Sequence, residues 1–242
     1  MVEREKREFP VSGLEERLAR YVETAQAAGV EVEFSAPEAL AARLAALLSH
    51  GDFQGGSYVP SSERSGRLAM NLSGVSISQS TNRIAALPAS GWPRGLREQV
   101  ELCLLTSDYK IVAPVQTDRG YTWERSEIAA ASIGITFCAL FLAQTGSLVF
   151  PAGPGLGTQA ALLPEVHLAL SYSQGCIESL AEYLGSLAGT LPSRITLVTG
   201  PSRTGDIEAT MTTGVHGPRR VIHFILAGRK AADIRQPCAR RT

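Results

Sequence analysis

The chain has 242 residues, with 23 basic and 23 acidic side chains, so its formal net charge at pH 7 is zero. This balance excludes the strongly basic surface of a dedicated nucleic-acid-binding domain, and we expect no nucleic-acid partner. A hydrophobic fraction of 44% excludes an intrinsically disordered chain, because disorder needs low hydrophobicity and high net charge. The length suits a single domain with a full hydrophobic core.

The first part of the chain predicts two helices around one strand. Apolar residues recur with helical spacing over 14–28, and a second helix is predicted over 39–48. Between them, residues 30–34 alternate apolar and acidic side chains, as a half-buried strand does. We therefore interpret residues 1–50 as an N-terminal helical addition packed on the core.

The following stretch is less regular. Short strands are predicted over 57–59 and 75–78, with a helix over 63–72 between them. One further helix is predicted over 96–105. Residues 107–121 show no periodicity that favours either a helix or a strand.

Residues 128–150 form an uncharged segment long enough to span a bilayer. Glycine, threonine, glutamine and serine residues interrupt the segment, and Pro151 closes it. We therefore predict no membrane span. Instead, helices over 126–133 and 136–144 and a strand over 148–150 are predicted inside an α/β core.

Beyond this segment, short apolar strands alternate with helical patterns. Strands are predicted over 166–171, 195–199 and 220–226, a helix over 177–188, and a loop with a helical turn over 201–213. Such alternation predicts a mostly parallel sheet with helices on both faces. The chain is thus divided into the N-terminal addition, one α/β domain over 51–228, and a basic, frayed tail over 229–242.

Ligands of open parallel sheets bind outside the carboxyl ends of the strands. We therefore expect a site in the loops that follow Phe150, Ser171, Thr199 and Leu226.

The densest group of polar residues lies in one such loop, Gly200-Pro201-Ser202-Arg203-Thr204-Gly205-Asp206-Ile207-Glu208. Ser202 or Thr204 can cap a following helix, and carboxylates suit the first turn of that helix. The same hydroxyl and carboxylate groups can also form a cradle for an anion or a carbonyl compound. Their number exceeds what capping needs, which favours the ligand cradle.

Two histidines are further candidates. His216 lies in Gly214-Val215-His216-Gly217, where it can act as a general acid or base or simply bond a backbone carbonyl in a turn. His167 interrupts an apolar strand, a position more typical of a core histidine. Polar residues over 144–147 stand in an apolar stretch and must find hydrogen bonds inside the protein or with a ligand.

The four cysteines stand at least 35 residues apart, and neither a Cys-x-x-Cys nor a His-Glu-x-x-His motif occurs. Metal and iron–sulfur sites usually need such spacing, so we predict no metal ligands in this chain. Residues 1–10 alternate acidic and basic side chains without an apolar core, so no signal peptide is predicted and we expect a cytoplasmic protein.

Three segments together resemble the lactate utilisation protein C family (LutC/YkgG type), whose unit is the LUD domain. The resemblance covers residues 134–228. The segments are Gly134-Ile135-Thr136 with Ala143-Gln144-Thr145-Gly146-Ser147-Leu148, then Leu163-Pro164-Glu165-Val166-His167, and finally the polar loop 200–208 with Gly214-Val215-His216-Gly217-Pro218-Arg219.

This resemblance implies a three-layer α/β/α sandwich with a mostly parallel sheet, similar to ribose-phosphate isomerase, glucosamine-phosphate deaminase and CoA-transferases. It also implies an accessory role beside two iron–sulfur partner proteins that oxidise L-lactate to pyruvate. This chain would bind no cofactor itself, and its strand-end loops would hold a small carboxylate or a partner. Candidate catalytic residues are Asp206, Glu208 and His216, and candidate ligand-binding residues are Thr136, Gln144, Thr145, Gly146, Ser147, His167, Gly200, Pro201, Ser202, Thr204, Gly217 and Arg219.

One position departs from the family pattern. The family usually has glutamate where this chain has Gln144, which removes a possible carboxylate nucleophile or base. Two alternatives therefore stay open beside the accessory role. The chain is a stand-alone enzyme acting on a phosphosugar or an acyl-CoA, or it is a divergent binding protein that kept the fold and lost the chemistry.

Overall fold

The computed structural model describes residues 13–49, 83–187, 191–205, 211–213 and 217–228, with the backbone alone for 204–205 and 211–213. The predictions for 57–59, 63–72, 75–78 and the tail over 229–242 lie outside these residues. Numbered in chain order, the helices are α1 (Leu14–Ala27), α2 (Leu40–Ser49), α3 (Leu96–Thr106), α4 (Arg125–Ala129), α5 (Gln159–Leu162) and α6 (Leu180–Ser186).

A central sheet of six parallel strands organises the fold, in the order β1-β14-β9-β6-β2-β3. Two interior strands, β9 and β14, are long apolar runs because both of their faces are covered. The strands are β1 (Val30–Ser35), β2 (Ile84–Ala86), β3 (Lys110–Val112), β6 (Ile133–Phe137), β9 (Val166–Tyr172) and β14 (Arg220–Leu226).

A smaller, mixed sheet has the order β10-β7-β8-β11. Its β7–β8 and β8–β11 pairs are antiparallel, whereas β10 runs parallel to β7. Two hairpins, β4–β5 and β12–β13, complete the described strands. The remaining strands are β4 (Val115–Thr117), β5 (Gly120–Thr122), β7 (Leu140–Leu142), β8 (Ser147–Pro151), β10 (Cys176–Ile177), β11 (Ile195–Val198), β12 (Arg203–Gly205) and β13 (Met211–Thr213).

The two faces of the central sheet carry different outer layers. Apolar residues of α2 and α3, including Leu44 and Val100, form one core with this sheet. On the opposite face, Tyr21 of α1 and Phe141 of the smaller sheet form a second core. The α/β class with a mostly parallel sheet is therefore confirmed, and one outer layer is built from α1 together with the smaller sheet.

The predicted helix over 136–144 is wrong. Thr136 belongs to β6, and the chain then forms β7 over Leu140–Leu142. Periodicity alone cannot separate a buried helix from short buried strands in a continuous apolar run, which explains the error. Within the described residues, every helix is too short or too polar to pass through a bilayer.

Several other elements match the predictions closely. The helices over 14–28 and 96–105 and the strands over 148–150, 166–171 and 220–226 all appear within two residues of their predicted bounds.

The predictions for residues 177–188 and 201–213 need correction. The predicted helix over 177–188 begins only at Leu180, because Ile177 belongs to β10 and Ser179 caps the helix by accepting from the Glu182 N–H. The predicted helical turn over 201–213 is wrong where it is described, because Arg203–Gly205 pairs in antiparallel fashion with Met211–Thr213.

The N-terminal segment contributes a strand as well as helices. All six residues of β1 pair with β14, and β1 is an outermost strand of the central sheet. The α1 helix packs against β1. Its last residues lie at the end of the sheet where β1 begins. This end, at which β1, β9 and β14 all start, is named the amino edge below.

Candidate functional site

The three motif segments, which are far apart in sequence, meet at the amino edge. The Ser202 N–H donates to the Pro218 carbonyl at 2.8 Å, and the Arg219 N–H donates to the Glu165 carbonyl at 2.7 Å. These two bonds join the loop after β11, the segment before β14 and the segment before β9. The resemblance therefore identified residues that share one region of the molecule.

The motif segments do not meet at the end of the sheet where the sequence analysis expected the site. Phe150 and Thr199 lie in and after strands of the smaller sheet, so their loops do not continue strands of the central sheet. Only the loops after Ser171 and Leu226 follow strands of the central sheet to that end, which is named the carboxyl edge below.

Two motif glycines are required by close packing against α1. Gly200 has a φ of +86°, and a Cβ there would lie 2.2 Å from the Ala28 carbonyl oxygen. Gly146 has a φ of +66°, and its Cβ would lie 2.5 Å from the Ala25 nitrogen. Because only glycine accepts both this conformation and this proximity, these motif positions serve the packing of α1.

A chain of hydroxyl groups leads from the surface inward at the same edge. The exposed Thr145 bonds Ser147 with 2.7 Å between their oxygens, and the buried Ser147 bonds Thr199 at 2.6 Å. The Ser147 hydroxyl is therefore bonded inside the protein. The neighbouring Gln144 is exposed, and its side chain makes no hydrogen bond to the described residues.

Thr136 and His167 form a separate, buried pair. Thr136 Oγ1 lies 2.8 Å from His167 Nε2, and His167 is fully buried against the Phe150 ring. Burial lowers the pKa of His167 to about 3, so its ring is neutral near pH 7. His167 Nδ1 has no partner among the described residues. This pair belongs to the interior between the two sheets.

A second buried histidine, His223, was not among the candidates selected from the sequence. Its Nδ1 lies 2.6 Å from the Tyr21 hydroxyl and its Nε2 lies 2.8 Å from the Ser171 hydroxyl, which donates to the Cys138 carbonyl. Burial, and to a smaller extent repulsion from His167 in its protonated form, lowers the pKa of His223 to about 3. In β9 and β14, side chains two positions apart lie on the same face of the sheet. This spacing was the sequence signal that could have revealed the network.

The remaining candidate residues belong to the sequence segment 200–219. Asp206, Glu208 and His216 fall outside the described residues. Thr204 lies in β12 opposite Thr212. Gly200, Pro201, Ser202 and Gly217 are half-buried, and Arg219 is exposed. The roles assigned to all of these residues remain predictions.

The carboxyl edge holds a cavity of about 340 Å³ that the motifs do not touch. It is lined by Pro37, Leu40, Arg94, Gln99, Tyr172 and Leu226, together with the residues that open α3. Sequence reasoning missed these residues, because they come from the turn after β1, from α3 and the residues just before it, and from α2, β9 and β14.

A smaller cavity of about 130 Å³ borders the glycine-rich loop 153–158. The loop ends in α5, which has only four residues, so the arrangement lacks the long helix of a dinucleotide-binding loop. In the described part of the chain, no three His, Cys, Asp or Glu side chains are grouped as metal ligands.

The central parallel sheet, its covering helices and the converging motif segments define an α/β protein of the LUD type. A family model described as "LUD domain" matches residues 18–226, so the chain belongs to the LUD domain family. A DUF162 family protein from Deinococcus radiodurans has a similar fold, with a TM-score of 0.54 and 16% identity, over 90% of this chain and 100% of that one.

Curated bacterial relatives carry the name Lactate utilization protein C. The relative from Halalkalibacterium halodurans is 32% identical over 139 residues, which cover 55% of this chain and 55% of that protein. The relative from Bacillus subtilis (strain 168) is 30% identical over 105 residues, which cover 41% of this chain and 44% of that protein. The chain thus spans about half the length of the curated relatives it matches.

Proposed function

We propose that this chain is a non-redox component of a lactate-utilisation system, in which two iron–sulfur partner proteins oxidise L-lactate to pyruvate. The observation that carries the proposal is membership of the LUD domain family together with the shared name of the curated relatives. Oxidation of L-lactate to pyruvate releases two electrons and two protons. The proposal assigns the acceptance of the electrons to the partners, and it includes the expected cytoplasmic location.

The chemistry of the cysteines supports this assignment. Cys103, Cys138 and Cys176 are all buried. Burial raises the pKa of the Cys138 and Cys176 thiols to about 12, and it raises the pKa of the Cys103 thiol as well. Iron–sulfur clusters are held by thiolates, so protonated, buried thiols are poorly suited to hold a cluster.

The motif residues at the amino edge would form the contact with a partner. Gly200, Pro201, Ser202, Gly217 and Arg219 form a half-buried to exposed group, here called the motif surface. Two backbone bonds fix this group, because the Ser202 N–H donates to the Pro218 carbonyl and the Arg219 N–H donates to the Glu165 carbonyl. A surface whose shape is held in this way suits docking of a protein, and an uncharged glutamine at position 144 suits contact better than acid–base chemistry.

Reconstitution tests the proposal. The full chain is co-expressed with the iron–sulfur proteins that co-purify with it, and lactate-dependent reduction of an artificial electron acceptor is measured. We expect activity that requires this chain. In the Arg219→Glu variant, reversal of one exposed charge should weaken co-purification by about tenfold, which corresponds to roughly 1.4 kcal/mol.

The matched control is Arg119→Glu, which reverses an equally exposed charge in the β4–β5 turn. This control should leave co-purification unchanged. The proposed function would be contradicted if this chain co-purified with no iron–sulfur protein. It would also be contradicted if the lactate-dependent activity were complete without this chain.

A further inference from the structure

The carboxyl edge of the central sheet combines an open cavity with two polar side chains, Arg94 and Gln99, that have no partner among the described residues. The cavity of about 340 Å³ lies where β9 and β14 end, between the turn after β1 and the beginning of α3. Its volume falls within the roughly 300–1,000 Å³ of ordinary small-molecule sites. The position also agrees with the general location of ligands in open parallel sheets.

Arg94 supplies a cation that the rest of the described chain does not neutralise. Its side chain is exposed, and it makes no ion pair or hydrogen bond with the described residues. Two arginines on the neighbouring helices are engaged, since Arg97 bonds both Glu101 and the Ala89 carbonyl, and Arg43 bonds Glu33. An unpaired guanidinium at the wall of a cavity is suited to a carboxylate, which it can bind with two parallel hydrogen bonds.

Gln99 adds a second polar group one turn into α3. The residue is half-buried and lines the same cavity, and its side-chain amide has no hydrogen bond to the residues that the structure describes. An amide offers both a donor and an acceptor, so it can bond a hydroxyl or a keto oxygen next to a carboxylate.

The opposite wall is apolar. Leu40 and Leu226 are buried, and the ring of Tyr172 packs edge-to-face on Phe137 with 5.5 Å between ring centroids. These side chains line the cavity together with Pro37. Such a wall favours a hydrocarbon substituent, because removing apolar surface from water is favourable.

We propose that this cavity binds a 2-hydroxy or 2-oxo monocarboxylate with an apolar substituent. Arg94 receives the carboxylate, Gln99 bonds the oxygen on the adjacent carbon, and Leu40 and Leu226 contact the substituent. L-Lactate and pyruvate are the smallest members of this class, so the inference rests on the proposed function for its biological meaning. Binding itself is a property of the isolated chain and is measured without partners.

The test is calorimetric titration of the full 242-residue chain with L-lactate, with L-2-hydroxy-4-methylpentanoate and with the neutral amide of the latter. Both acids should bind, the longer acid more tightly because it fills the apolar wall. The amide should bind at least about tenfold more weakly, because it lacks the charge-assisted bond to Arg94.

Two substitutions locate the site. Arg94→Gln should weaken binding of the longer acid by about tenfold or more, and Gln99→Leu should weaken the hydroxy acid more than the unsubstituted 4-methylpentanoate. Arg119→Gln, an exposed arginine away from the cavity lining, should leave binding unchanged. Both test positions are exposed or half-buried, and thermal unfolding of each variant verifies that it is folded.

The result that overturns the inference is equally specific. Absence of binding by every acid, equal binding of acid and amide, or equal losses in the Arg94 and Arg119 variants would each remove the carboxylate site. Such a failure would not affect the lactate-dependent activity reconstituted with the partners. Conversely, binding of the acids without any lactate-dependent activity would overturn the proposed function and leave the assignment of the cavity intact.

Discussion

The two edges of the central sheet use their polar groups in opposite ways. At the amino edge, the backbone groups of Ser202 and Arg219 and the hydroxyl of Ser147 bond other parts of the protein. At the carboxyl edge, Arg94 and Gln99 border a cavity and have no partner among the described residues.

This contrast separates two meanings of a sequence motif. Polar groups that already bond one another gain little from a ligand, because each new bond replaces an existing one. The motif residues at the amino edge therefore hold chain segments together and present a surface. The cavity at the carboxyl edge carries no motif, yet its unpaired groups are the ones with bonds to offer a small molecule.

The largest effect is expected for Gly200→Ala at the amino edge. The added methyl group meets the Ala28 carbonyl oxygen, and alanine disfavours the φ of +86°. Backbone strain and overpacking together should lower the free energy of unfolding by roughly 2–6 kcal/mol. Urea unfolding followed by circular dichroism measures the loss.

The matched control is Gly95→Ala, where φ is +78° but no atom lies within 4 Å of the added methyl group. Strain without a clash should cost less than the change at Gly200. Equal losses at the two positions would mean that the tight contact between the motif loop and α1 does not stabilise the amino edge.

Acidification should destabilise the interior between the two edges. Burial lowers the pKa of His167 and His223 from an ordinary value of 6.5 to about 3. Below about pH 6.5 the unfolded chain binds more protons, so stability is present above this pH and is lost as the pH falls toward 3. The slope should be about 1.4 kcal/mol per pH unit for each histidine.

Urea unfolding at a series of pH values measures this slope, and His223→Gln should make it shallower. Among the described groups that contact the two rings, Tyr21, Thr136 and Ser171 are uncharged near neutral pH. NMR titration of the imidazole resonances is decisive, since a transition near pH 6.5 in the folded protein would contradict the prediction.

A smaller loss is expected for Tyr21→Phe, which removes the hydroxyl bonded to His223 Nδ1. An unsatisfied buried nitrogen costs about 1–3 kcal/mol, which the urea midpoint detects. The control is Tyr109→Phe, a buried tyrosine whose hydroxyl bonds nothing in the described part of the chain. A larger loss at Tyr109 than at Tyr21 would show that the histidine network does not stabilise the fold.

The smallest changes in stability are expected for the replacement of one arginine at each of the two edges. Arg220 opens β14 at the amino edge and forms two hydrogen bonds with Glu31. Its replacement by glutamine should cost about 0.2–1 kcal/mol, the value of an exposed ion pair. Arg94→Gln should change stability by less than about 0.5 kcal/mol, because the cation has no partner to lose.

Both variants are measured by urea unfolding in the absence of added acids. A loss at Arg94 that exceeds the loss at Arg220 would mean that Arg94 serves the fold, and the contrast between the two edges would then disappear.

Much of the architecture was legible in local patterns. The strands over 166–172 and 220–226 followed from continuous apolar runs, because central parallel strands are buried on both faces. The helix over 96–106 followed from its periodicity. The motif segments were also sufficient to indicate the LUD domain family.

Other features depend on contacts between distant segments. The smaller sheet escaped prediction, because three-residue strands such as Leu140–Leu142 are defined by their neighbours and carry no period of their own. The motif loop was expected at the carboxyl edge, but its pairing with Pro218 places it at the amino edge. A local pattern tells which face of an element is buried, whereas strand order decides which ends meet.

The candidate sites divide in the same way. Residue types and spacing were sufficient to select Ser147, His167 and Gly200, which the fold holds in close contacts. Arg94, Tyr172 and Leu226 stand up to 132 positions apart in the sequence and line one cavity. No local pattern joins such residues, because long-range strand pairing and helix packing bring them together.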